Sequence, residues 1–114
     1  MIKNLFKKRG TNTEKEYRIS LGCNDPDAHR QIYDIDYIKF ETINIMKKYF
    51  SGWTIFDAEG YWEGEIKHTL VIEIACVTYE NVTNCAKELR EKFNQQCVKV
   101  DARDVSTTWI DINF

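Results

Sequence analysis

Hydrophobic and polar residues first alternate at 17–23, YRISLGC. Tyr17, Ile19, Leu21 and Cys23 fall on one side, and Arg18, Ser20 and Gly22 on the other. That period of two predicts a strand with one buried face. NDPD at 24–27 then supplies turn chemistry, through side-chain bonds of Asn and Asp to nearby amides and the fixed φ of proline. From about residue 30 to 51 the spacing becomes three and four. Ile35, Ile38, Thr42, Ile45, Met46 and Tyr49 line one side of a predicted helix. Gly52 follows as a residue that tolerates the positive φ of a helix end. A second stripe of Tyr33, Tyr37 and Phe40 widens the apolar side. It implies either half-exposed tyrosine rings or burial against another subunit.

Residues 53–62, WTIFDAEGYW, are strand-like in their aromatic and β-branched content. HTLVIEIACV at 68–77 is the clearest strand, with Leu70, Ile72, Ile74 and Cys76 inward. Its other side carries Val71, Ala75 and Val77, which predicts a central strand covered on both faces. Thr78 is a good N-cap and Glu80 suits the first turn of a helix over 79–94. Val82, Cys85, Ala86, Leu89 and Phe93 form the apolar stripe of that helix. CVKV at 97–100 alternates again, DARD breaks it, and 106–114 is read as a last strand with Thr108, Ile110, Ile112 and Phe114 on one face.

These elements predict an α+β fold: a ferredoxin-like βαββαβ domain with an additional C-terminal strand. Right-handed crossovers place both helices on one face of an antiparallel sheet, with the first and third strands at its centre. The opposite face would then carry Val71, Ala75, Val77, Trp109 and either Trp53 or Phe56. A monomer seldom exposes so much contiguous apolar area; either the basic leader covers it, through Ile2, Leu5 and Phe6, or a second sheet does, and self-association through the sheet, as a dimer or trimer, is the preferred expectation.

The chain has 114 residues, the size of one domain with its own core. Charge changes the picture at the start. Residues 1–18 carry six Lys/Arg against two Glu, while residues 19–114 carry ten Lys/Arg against sixteen Asp/Glu. Residues 1–16 are therefore expected to be a flexible basic leader, and 17–114 a single acidic domain. An acidic body argues against a broad nucleic-acid surface, which needs clustered Lys/Arg. No apolar run is long enough to span a membrane. The first residues lack the apolar core and cleavage site of a secretory signal, so the expected location is cytoplasmic. Cys23, Cys76, Cys85 and Cys97 show no zinc spacing and are expected to stay reduced.

Residues 57–68, DAEGYWEGEIKH, concentrate four carboxylates, two large aromatics, two glycines and a histidine. A hairpin with its turn near residues 60–65 is expected, since glycine suits positive φ. Glu63 and Glu65 would share one face, as would Asp57 and Glu59. Paired carboxylates serve as acid and base when their environments differ. No apolar pocket is evident here to separate them, so their expected role is a solvated tip that resists edge pairing. Tyr61 and Trp62 are suited to stack a nucleobase or a cationic group, or to pack between subunits. His29 and His68 are the only imidazoles, and neither has a nucleophile placed beside it by sequence.

YWEGEI at 61–66 followed by LVIEI at 70–74 resembles the hairpin of the CutA and PII-like signalling proteins. That resemblance implies trimers formed by edge-strand pairing, with ligands in clefts between subunits. The metal-associated cysteine segment and the proline-bearing segment of that family are not evident. Gly52, Thr54, Asp57, Gly60 and Trp62 also match the pattern of a small bacterial and phage family of unknown function, which implies no activity. The resulting expectation is a non-enzymatic regulatory or ligand-binding homo-oligomer. Its ligand, such as a nucleotide, would bind at inter-subunit clefts through Asp57, Tyr61, Trp62, Glu63, Glu65 and His68. Neither a catalytic residue, a metal nor a cofactor is assigned. Two alternatives stay open: a phage inhibitor that sequesters a host protein or signalling nucleotide, and a small ferredoxin-fold enzyme.

Overall fold

The computed structural model describes residues 13–111. Four strands and two helices follow one another as β1 (Thr13–Gly22), α1 (Ile35–Met46), β2 (Thr54–Trp62), β3 (Glu65–Ala75), α2 (Tyr79–Lys92) and β4 (Lys99–Ser106). The strands form one antiparallel sheet in the order β2-β3-β1-β4, so β1 and β3 are central. The fold is α+β. Most of the stretch read as a basic leader lies outside the described residues, but β1 already begins at Thr13.

The core forms where the alternation predicts. Tyr17, Ile19, Leu21 and Cys23 meet Leu70, Ile72 and Ile74 on one side of the sheet, all buried. Ile38, Ile45 and Met46 of α1 and Val82, Cys85 and Leu89 of α2 close over them in one cluster. Each such side chain removed from water contributes about 1.5–3 kcal/mol. Both helices therefore lie on the same face.

Local chemistry sets the helix ends. Asp34 caps α1 by accepting from Asp36 N at 3.2 Å. The helix starts later than the apolar spacing suggested, because residues 25 and 30 are held in a β-bridge before it. Thr78 Oγ1 accepts from Asn81 N at 3.1 Å and caps α2 as expected. At the other end Asn94 takes φ 51°, Gln95 N donates to Arg90 O at 2.9 Å and Asn94 N to Glu91 O at 3.3 Å. This is a Schellman ending with asparagine in the left-handed position.

Three expectations need correction. The additional C-terminal strand is not formed by residues 107–111, and 112–114 lie outside the described residues. Instead β4 runs straight through DARD, because its partner β1 is long enough to pair Asp101 to Asp104 with Arg18 to Lys15. Backbone pairing outweighs the poor strand propensity of aspartate, as context often does. Second, Trp53 and Val77 pack against the core, not on the open face. Trp53 has the same parity as Ile55, and the left-handed turn at Cys76 (φ 63°) breaks the alternation before Val77. Third, the middle of the open face is ionic. Arg18 Nη2 lies 2.6 Å from Glu73 Oε2, and Arg103 Nη2 lies 2.7 Å from Glu16 Oε1. Phe56, Ala58, Trp62, Val71 and Ala75 share that face by register.

Candidate functional site

β2 and β3 form a hairpin whose turn is Glu63 and Gly64, with φ of 47° and 85°. Two positive values give a turn whose twist matches the strands. At Gly64 a Cβ would meet nothing within 4 Å, so backbone conformation rather than space selects glycine there.

The pairing register divides the six expected ligand residues. Trp62 faces Glu65, Gly60 faces Lys67, Glu59 faces His68 and Asp57 faces Leu70. Successive side chains point to opposite faces. Leu70 points into the core, so Asp57, Glu59, Tyr61 and His68 lie on the helix side. Trp62, Glu65 and Lys67 lie on the open face, and Glu63 is in the turn itself. On the helix side Lys39 Nζ donates to Asp57 Oδ2 at 2.9 Å, and His68 Nε2 stands 3.8 Å from Asp57 Oδ1, beyond hydrogen-bond reach. Tyr61 and Trp62 are 72% and 66% exposed. The six do not converge on one point, and Glu63 and Glu65 do not share a strand face.

The open-face group is more tightly built. Glu65 Oε1 accepts from Asn24 Nδ2 at 3.2 Å, and Oε2 from His29 Nδ1–H at 2.8 Å. The His29 hydrogen bond, then that of Asn24, hold the Glu65 carboxyl below its ordinary value; burial opposes them, and the electrostatic effects of His29 and Lys67 add less than either bond. The loop of residues 24–30 presents both donors. Asp25 Oδ2 accepts from Asp27 N at 3.0 Å and Ala28 N at 2.9 Å, and Asp25 N donates to Arg30 O at 2.8 Å. His29 sits at φ 55° with its amide on Asp25 O. Gln95 Nε2 anchors the start of the loop by donating to Asn24 O at 2.9 Å. A Cβ on Gly22 would approach Lys67 Cδ to 3.1 Å, so the missing side chain leaves room for the lysine stem.

Asn24, His29 and Lys67 were absent from the expected set. Counting by two along β3 joins Lys67 to Glu65. The pairing of residues 24 and 29 with 65 needs the sheet order, which local spacing does not carry.

Behind the same loop is a small depression with Ile32, Tyr33, Phe93 and Gln95 in its wall. Cys23 also borders it, but burial, the main cause, pushes its thiol up to about 11. A protonated thiol is a poor nucleophile. Burial likewise takes Cys85 to about 12. Among the described residues no group of three or more His, Cys, Asp or Glu is disposed to hold a metal ion. Nor, among them, is any helix long and apolar enough to cross a membrane.

No protein-family model and no curated protein sequence matches the chain. Solved structures do. A phage SAM lyase in complex with S-methyl-5′-thioadenosine superposes with a TM-score of 0.62 at 22% identity, covering 86% of this chain and 93% of that one. Phage SAM lyase in its apo state gives 0.61 at 22% identity, over 87% and 94%. At that identity the likeness is one of fold. These neighbours are not CutA or PII-like proteins. They also overturn the expectation of a non-enzymatic regulatory or ligand-binding protein, because the shared fold is one that an enzyme carries.

Proposed function

We propose that the protein is a lyase that cleaves S-adenosylmethionine. The observation that carries this is the fold shared with phage SAM lyase along nearly the whole of both chains. One of those structures holds S-methyl-5′-thioadenosine, the fragment left when the four-carbon amino-acid chain departs from the sulfonium.

The open face of the hairpin suits such a substrate. S-adenosylmethionine brings an aromatic base, a sulfonium, an ammonium and a carboxylate. Trp62 offers a ring face, Glu65 an anion and Lys67 a cation, all from one side of two paired strands. A carboxylate held ionised is a weak base, so Glu65 is fitted to pair with positive charge and not to abstract a proton. That supports a route in which the substrate's own carboxylate oxygen attacks its γ-carbon. The new C–O bond closes a lactone as the C–S bond breaks, and its electron pair neutralises the sulfonium. No water, proton or co-reactant is consumed.

The strand order supports a ferredoxin-like βαββαβ arrangement as the finer description of the fold. Association of copies through the sheet is supported by the open face, where Phe56 is 40% exposed and Trp62 also stands free of the core.

Incubation with S-adenosylmethionine and chromatography of the products tests the activity. Release of S-methyl-5′-thioadenosine in proportion to protein and time is expected. A yield no greater than the spontaneous decay in buffer contradicts it.

A further inference from the structure

We infer that Asn24 and His29 are positioning residues: they fix the Glu65 carboxylate on the open sheet face as the seat of the substrate's α-ammonium, an assignment that rests on the lyase activity proposed above. Each carboxylate oxygen has its own donor, Oε1 from Asn24 and Oε2 from His29. Two donors on two oxygens set the plane of the group as well as its charge. The remaining lone pairs stay free for a third partner.

The donors come from outside the hairpin. They belong to one loop tied at both ends, by the Asp25–Arg30 backbone bond and by Gln95 on Asn24 O. His29 occupies a left-handed conformation, uncommon for residues other than glycine although histidine enters it more readily than most. An exposed carboxylate with no task does not need such an arrangement, since surface pairs contribute little stability. The titratable groups facing Glu65 are His29 from the loop and Lys67 from its own strand. Across the hairpin its register partner is Trp62, which carries no charge.

The ammonium is the substrate charge that survives the reaction, whereas the sulfonium is neutralised as the C–S bond breaks. A carboxylate on the ammonium therefore binds ground state and transition state alike, and losing it raises KM without lowering kcat.

The experiment combines kinetics with a titration of the Glu65 carboxyl by carbon NMR in the intact protein. In Asn24→Ala and His29→Ala the carboxyl should titrate at a pH higher by about half a unit or more. KM for S-adenosylmethionine should rise about tenfold, with kcat within about twofold. His29→Gln, whose amide can donate to the same oxygen, should recover most of the KM. An unchanged Glu65 titration in both alanine variants overturns the positioning role even where cleavage is normal. A fall in kcat at constant KM overturns the assignment to the ammonium. Wild-type protein that forms no S-methyl-5′-thioadenosine overturns the lyase activity and the ammonium seat together, while a shifted titration would still uphold the fixing of Glu65 by its two donors.

Discussion

Arg18 on β1 and Glu73 on β3 stand opposite each other in register and join side chains at 2.6 Å, in the middle of the sheet face that no helix covers. Arg18 carries a further demand. Its Nε is buried without a hydrogen-bond partner among the described residues. The pair is partly exposed, with 41% and 25% of the side chains accessible. Glu73→Gln should therefore cost no more than about 1 kcal/mol in urea unfolding, the range of surface pairs. A loss of several kcal/mol would mean that the face is covered in solution.

Asn94 ends α2 in the left-handed region. Asn94→Gly should change stability by less than about 1 kcal/mol, because glycine relaxes the left-handed backbone but gains freedom in the unfolded chain, while Asn94→Val should destabilise, because a β-branched residue resists that conformation. Thermal unfolding of the two variants measures both effects. Stabilisation by valine would show that the helix ends differently.

Tyr49 hydroxyl and Lys48 Nζ both donate to Glu88. The Lys48 hydrogen bond, then that of Tyr49, lowers the Glu88 carboxyl, and Tyr49 rises to about 12, chiefly through the same bond. A depressed carboxyl contributes stability that is present above its unfolded value and lost as pH falls through its folded value. Glu65, also depressed, acts in the same direction. Tyr49, raised, contributes below its unfolded value of 10.0 and loses that as pH climbs through about 12. Glu88→Gln should flatten the acid limb of the stability profile and let Tyr49 ionise earlier in a spectroscopic titration compared with Tyr49→Phe. An unaltered acid limb would remove the Glu88 contribution.

Cys97 is exposed, whereas Cys23 and Cys85 are buried with raised pKa values. Iodoacetamide at neutral pH should modify Cys97 quickly, leaving Cys23 and Cys85 until the protein unfolds. Peptide mass mapping gives the order. Early labelling of Cys23 would place it in an open, thiolate-favouring site.

Alternation and helical spacing made β1, β3 and both helices legible, because each has a single buried face that repeats along the chain. The end of the chain is less legible. Asp101 and Asp104 look like strand breakers locally, yet pairing with β1 holds them in β4. The open face is hard to read for a related reason. Cys76 turns left-handed and carries Val77 back toward the core, which no periodic count anticipates. The hairpin is legible as the chemically loaded stretch, but proximity in sequence does not say which of its residues share a face. A hairpin sorts them by parity, so Trp62 and Glu65 separate from Asp57 and His68. The partners of Glu65 come from 36 and 41 residues away, brought in by strand order.

Cleavage of S-adenosylmethionine is tested most directly by the initial rate of S-methyl-5′-thioadenosine release by the wild-type chain and by Glu65→Ala. Multiple turnovers by the wild type are predicted, with a marked loss of catalytic efficiency in the variant. A wild-type rate equal to that of buffer alone would contradict the assignment.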